Sequence, residues 1–151
     1  MAERQDAGSA PGGADPRGAR PASGPGRVLV ALYAVFAVAA TSRAAVQIAT
    51  DVAEAPVAYA LSAFSAVVYV VATVALAGRG PRARRLALLA CGTELVGVLV
   101  VGTFSLLVPE DFPRATVWSG YGYGYLFVPL VLPVLGLWWL RRTAVAGAPS
   151  R

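Results

Sequence analysis

Four apolar stretches separated by short polar connectors dominate the chain: residues 28–50, 55–77, 86–108 and 118–140, each 23 residues long. At about 1.5 Å rise per residue, a helix of that length covers the roughly 30 Å hydrocarbon core of a bilayer with some tilt. The pattern predicts an all-α fold, a four-helix transmembrane bundle. Its connectors are too short for further domains: an acidic turn from Asp51 to Glu54 with Pro56 opening the next helix, then GRGPRARR at 78–85 and PEDFPRAT at 109–116. Residues 1–26 are rich in Gly, Pro, Ala and Ser and hold no run able to bury a core, which predicts a disordered tail. The membrane domain is then 27–142, and 143–151 forms a short C-terminal tail. Arg27 followed by VLVALYAVFAVAA, with Ala37-Val38-Ala39 as a cleavage site, also fits a signal peptide, which would leave three spans in the same orientation. The length of the preceding tail and the apolar pattern continuing to Ile48 favour a retained first span.

Polar residues inside these stretches change the picture most, because a charge at the centre of a membrane helix costs about 2.5–3.5 kcal/mol on insertion scales. Two charges lie within spans, Arg43 and Glu94. Arg43, Gln47 and Asp51 stand at i, i+4 and i+8, giving the outer half of the first helix a polar stripe with Glu54 just beyond. Counted from Val28, Arg43 lies about 22 Å into the membrane, near the depths of Tyr59, Ser62, Tyr121 and Tyr125. Arg43, Gln47, Asp51, Tyr59, Tyr121 and Tyr125 are therefore the candidate ligand- or lipid-binding residues; bracing of the helix by Arg43 is the simpler alternative.

Glu94 lies about 12 Å from the inner edge by the same count, among the small neighbours Ala87, Ala90, Cys91 and Gly97, which suit close helix approach. Tyr33, Tyr69 and the Pro129–Pro133 region fall within a turn or two of its depth, so Glu94 and Tyr69 are proton-exchange candidates, with a hydrogen bond fixing one helix pair as the alternative. A vertical offset of roughly 10 Å argues against a direct Arg43–Glu94 ion pair. On the second helix, Ala58, Ser62 and Ala66, and separately Ser65, Tyr69 and Thr73, form stripes suited to packing. The fourth stretch alternates Gly120, Gly122 and Gly124 with Tyr121, Tyr123 and Tyr125. A helix would scatter these rings, its start loosened by glycine and its middle kinked by Pro129 and Pro133. Its GxGxG spacing follows no strand and is no nucleotide fingerprint.

Composition agrees with a membrane protein: 57% of the 151 residues are hydrophobic and 14% charged. All thirteen basic residues are Arg, a mark of a GC-rich genome, and they flank the apolar runs instead of forming a patch for nucleic acid. Arg4, Arg17, Arg20 and Arg27 precede the first span, Arg79, Arg82, Arg84 and Arg85 follow the second, and Arg141, Arg142 and Arg151 follow the fourth; the other connectors hold only Arg114. The positive-inside rule then places both termini in the cytoplasm. Trp118, Tyr121 and Tyr123 are expected at the outer interface, Trp138 and Trp139 at the inner one. A single Cys91 and the absence of His leave no disulfide, no cysteine- or histidine-based metal site and no Ser-His-Asp triad, so neither cofactor nor enzymatic activity is expected.

With RAAVQIATDVAEAPVAYALSA and YGYGYLFVPLVLPVLGLWWLRR, the chain resembles small four-span integral membrane proteins of actinobacteria over about 27–142. The resemblance implies a helical bundle in the bacterial inner membrane and brings no established activity with it. Small multidrug transporters are similar in outline, but their membrane carboxylate belongs to the first span and this one to the third, so no residue roles transfer. The leading expectation is a non-enzymatic accessory bundle that assembles with itself or with larger membrane machinery. The alternative is a small carrier or lipid-binding protein, with an outer-leaflet site at Arg43 and a protonatable Glu94.

Overall fold

The computed structural model describes residues 24–51, 55–112 and 114–146. The expected tail up to residue 23, Glu54 and the side chain of Asp51 lie outside the described residues. Every described element is helical: α1 (Gly24–Asp51), α2 (Pro56–Ala77), α3 (Pro81–Leu107), a short 3-10 turn (Pro109–Asp111), a 3-10 segment (Ser119–Tyr125) and α4 (Val128–Ala146). Three helices, α1 to α3, are long and apolar enough to cross a membrane. A fourth crossing results if Ser119–Tyr125 and Val128–Thr143, bent 100° from each other, count as one broken span.

The helices pack in a ring, α1 on α2, α2 on α3, α3 on α4, and α4 more lightly back on α1. Their buried stripes follow spacings of three and four residues: Leu29, Tyr33, Ala37, Ala40 and Ala44 on α1, and Ala87, Cys91, Glu94, Val98 and Val101 on α3. The opposite faces carry exposed Val35, Val38, Leu89, Val96 and Val100, apolar surface that suits lipid and would be a liability in water. Alanine on both sides of the α1–α2 contact lets that pair approach closely, and it is the most extensive packing in the bundle. Ala58, Ser62, Ser65, Ala66 and Tyr69 are all buried on α2, with Thr73 at its margin.

Between α2 and α3 the chain reverses over Gly78–Gly80. Gly80 adopts φ +92°, a region open to glycine, and Pro81 starts α3 where its missing N–H costs nothing. The two ends of the bundle are distinct in charge. Gly26 meets Trp139, Arg84 Nη2 donates to the Leu140 carbonyl at 3.1 Å, and Arg142 lies 4.2 Å above the Trp138 ring. The start of α1, the α2–α3 reversal and the last turns of α4 therefore share one end, which gathers Arg27, Arg79, Arg82, Arg84, Arg85, Arg141 and Arg142.

The fourth apolar stretch is not one continuous helix over 118–140: α4 begins only at Val128. Gly120, Tyr121 and Gly122 take left-handed backbone angles in succession, as do Leu126 and Phe127, and these break the helix. Pro129 consequently sits in the first turn of α4 and does not kink it, leaving Pro133 as the proline inside the helix. A second correction concerns Trp118, expected at the outer interface: it is 1% exposed and lies in the core, its ring against Gly97 and edge-on to Phe64 with centroids 6.0 Å apart. Gly97 thus admits a tryptophan from the strap below, not a neighbouring helix backbone.

Residues 115–127 form a strap that dips into the bundle and returns. A reciprocal set of hydrogen bonds starts it: Thr116 N donates to Ser119 Oγ at 2.9 Å, while Trp118 N and Ser119 N donate to Thr116 Oγ1 at 3.2 and 3.1 Å. Ser105 Oγ accepts from Gly120 N at 2.9 Å and Thr103 Oγ1 pairs with the Tyr121 hydroxyl at 2.9 Å, fastening the strap to α3. Gly122→Ala is expected to destabilise the fold by about 1–3 kcal/mol. Its φ is +77° and a Cβ there would fall 2.7–2.9 Å from three carbons of the Pro129 ring. Thermal unfolding in detergent micelles checks this, and an unchanged midpoint would refute the strap geometry.

Candidate functional site

Arg43 leaves the buried face of α1 in its C-terminal half, where the strap passes. Its Nη1 donates to the Tyr125 hydroxyl at 3.0 Å and its Nη2 to the Ala115 carbonyl, so one guanidinium holds both ends of the strap. Its Nε is buried without a hydrogen-bond partner, and so is Gln47 Oε1 one helical turn away. Among the described residues no carboxylate pairs with Arg43.

Two clefts meet at this side chain. One, of about 360 Å³, lies beside the strap and is lined by Arg43, Ser105, Phe112, Thr116, Ser119 and Tyr125, among others. The other, of about 500 Å³, opens between α1, the start of α2 and the third connector, with Ser42, Arg43, Gln47, Thr50, Tyr59 and Arg114 around it. Two guanidinium groups, hydroxyls and an amide line this one cleft, and the Arg43 Nε beside it is buried without a hydrogen-bond partner. Arginine's planar fork of donors matches phosphate or carboxylate oxygens in pairs.

Of the residues expected at this site, the structure brings Arg43, Gln47, Tyr59 and Tyr125 together. Tyr121 goes elsewhere: its hydroxyl pairs with Thr103 and its ring lies against Gly102. Asp51's side chain is outside the described residues. Arg114, Ser42, Thr50 and the Ala115 carbonyl were missed. Arg114 carries a signal in its charge, the only arginine of the first and third connectors, but its place on the same cleft as Arg43 depends on a loop path that no periodicity encodes.

A second polar cluster lies deeper. Tyr33 reaches across the diagonal of the ring from α1 to α3, and its hydroxyl donates to Glu94 Oε2 at 2.8 Å, with Cys91 Sγ 3.4 Å from the same hydroxyl. Gly136 on α4 makes room for this, since a Cβ there would lie 2.9 Å from Cys91 Sγ and 3.4 Å from the Tyr33 hydroxyl. Tyr69 faces Glu94 from α2 and Trp118 from the strap. Tyr33, Tyr69, Cys91 and Glu94 are all 0% exposed. Tyr69 Oη, Glu94 Oε1 and Trp118 Nε1 are buried with no hydrogen bond of satisfactory geometry.

Arg43 and Glu94 thus engage different partners, and no ion pair joins them. Stacked rings do connect the two clusters: Tyr33 to Tyr69 at 6.2 Å between centroids, Tyr69 to Phe36 at 5.8 Å, and Phe36 to Tyr125 at 6.1 Å. Among the described residues no group of three or more His, Cys, Asp or Glu side chains gathers as a metal site. No protein-family model, no curated protein and no solved structure matches the chain.

Proposed function

We propose that this chain is a multi-pass protein of the bacterial inner membrane, both termini cytoplasmic, that binds the anionic group of a membrane amphiphile at its outer end and performs no covalent chemistry. Orientation is supported by the gathering of seven described arginines at one end of the bundle, opposite Arg114. The observation that carries the binding role is the cleft at Arg43, whose Nε is buried without a partner beside the likewise unpaired Gln47 Oε1, with Ser42 and Thr50 as further polar walls. At the outer headgroup level such a cleft meets phosphate esters first.

The test uses Arg114→Ala and Gln47→Leu, which alter the cleft without removing the strap's tether. In nanodiscs containing both anionic and zwitterionic phospholipid, native mass spectra of wild type are expected to retain anionic lipid in defined stoichiometry, and both variants to lose it. Inorganic phosphate added to protein in a purely zwitterionic bilayer distinguishes a free anion from a headgroup. Identical lipid retention by wild type and variants, with no phosphate binding, would overturn the reading.

A second reading, an accessory bundle that assembles with itself or with a larger complex, is favoured by the α2–α3 face. An added Cβ at Gly92 would meet nothing within 4 Å, and the apolar groove around it includes Phe64, Leu89 and Val96. Small residues of this kind let membrane helices associate. The same spectra report subunit number.

A further inference from the structure

We propose that Glu94 is a proton-binding site, loading and releasing one proton past Trp118, the ring that covers its Tyr69 partner. This stands apart from the anion site and does not depend on it.

The argument begins with what surrounds the carboxyl. α1 presents Tyr33, α2 presents Tyr69, α3 itself adds Cys91, and the strap adds the Trp118 indole. α4 contributes no titratable group, only Gly136 against Cys91 and Tyr33. No cationic side chain faces Glu94 among the described residues. A structural carboxyl that never changes charge needs one fixed set of partners, and this one has a set for each state. With Glu94 ionised, Tyr33 donates to Oε2, Tyr69 donates to Oε1, and Trp118 Nε1 donates to the Tyr69 oxygen. With Glu94 protonated on Oε1, its O–H donates to the Tyr69 oxygen, and the Tyr33 bond to Oε2 is kept. The hydroxyl of Tyr69 needs only to rotate. Of the three buried atoms now without well-formed hydrogen bonds, Glu94 Oε1 and Tyr69 Oη exchange donor and acceptor roles between the two states, while Trp118 Nε1 faces the Tyr69 oxygen in both. Buried polar atoms otherwise find partners in nearly every case.

The route follows from the strap. Thr116 and Ser119 line the outer cleft and flank Trp118, whose ring lies against Gly97, about one helical turn outward from Glu94. The ring itself borders the apolar groove between α2 and α3 and also faces Tyr69, so displacing it would uncover the Tyr69 hydroxyl.

Infrared difference spectra of the protein in bilayers across a pH titration provide the test. The expected result is a carboxylic-acid carbonyl band that disappears reversibly as pH rises and is missing in Glu94→Gln. Tyr69→Phe should move its midpoint, and Trp118→Ala should speed its response to a pH jump several-fold while leaving the band in place. A merely structural carboxyl would give a band that stays constant, or none, at every pH, and that result would overturn the proposal. Should Glu94→Gln fail to assemble, an apolar carbodiimide, which attacks protonated carboxyls, reports on wild type directly. Labelling of Glu94 that falls with rising pH agrees with proton exchange; labelling that is absent or independent of pH refutes it.

Discussion

Replacing Gly97 with valine is expected to drive Trp118 out of the bundle and to lower the stability of the protein by about 1–3 kcal/mol, toward the upper end of that range. A Cβ on residue 97 would lie 2.5–2.9 Å from three carbons of the indole ring, well inside the roughly 3.5–4.0 Å of an ordinary carbon contact. The ring cannot bend, and the Thr116–Ser119 hydrogen bonds hold its backbone in place, so the whole strap must shift. Helix propensity pulls the other way by only a few tenths of a kcal/mol, since valine is the better helix former. Sterics therefore win. The measurement is Trp118 emission in a background where Trp138 and Trp139 are replaced by Phe. A red shift, with new access to an aqueous quencher, is expected. Emission identical to that of the parent would show that Trp118 is not held against α3.

How much of this was legible in the sequence depends on which physical signal each part leaves. The first three helices were, because a run of apolar residues long enough to cross a bilayer has one backbone solution that satisfies its own hydrogen bonds. Their ends were less so. α3 begins at Pro81 and not at Leu86, because hydropathy marks where lipid starts, while Arg82, Arg84 and Arg85 continue the same helix beyond it. The break in the fourth stretch was hard to place for a related reason. Residues 118–140 are apolar throughout, yet hydropathy carries no information on φ and ψ, and the left-handed turn at Gly120–Gly122 sends Trp118 inward. The alternating Gly-Tyr run was the available sign, since glycine at every second position weakens a helix and admits positive φ.

The sites divide in the same way. Arg43 and Glu94 stand out as charges in apolar runs, and counting rise per residue places Tyr125 near the first and Tyr33 and Tyr69 near the second. The structure has all three in those neighbourhoods. Depth along parallel helices is a one-dimensional quantity that the sequence encodes directly. The Ala115 carbonyl, the Arg114 side chain and the Trp118 ring belong to the irregular third connector, whose path is set by pairwise hydrogen bonds at Thr116, Ser119, Ser105 and Thr103. No period announces these.

Arg43→Ala is expected to release that connector. The variant loses the Tyr125 and Ala115 bonds together, and hydrogen bonds from a charged donor are worth about 1.5–3 kcal/mol each, here toward the lower end because Arg43 is half-buried and partly screened. Since the two bonds hold opposite ends of one segment, Trp118 between them should become accessible to an aqueous quencher. Tyr125→Phe, which removes one bond and keeps the ring against Phe36, should show a smaller change in the same direction. Arg43→Lys should fall between, because an ammonium keeps the charge but lacks the fork that reaches both acceptors at once. Graded quenching in that order would identify the guanidinium as the strap's tether. Equal quenching in all four proteins would show that the α3 contacts at Ser105 and Thr103 hold the strap alone. The consequence extends inward. Any anion that draws Arg43 into the larger cleft competes with the Ala115 and Tyr125 oxygens for the same N–H groups. Its occupancy would then loosen the strap that carries Trp118 against Gly97.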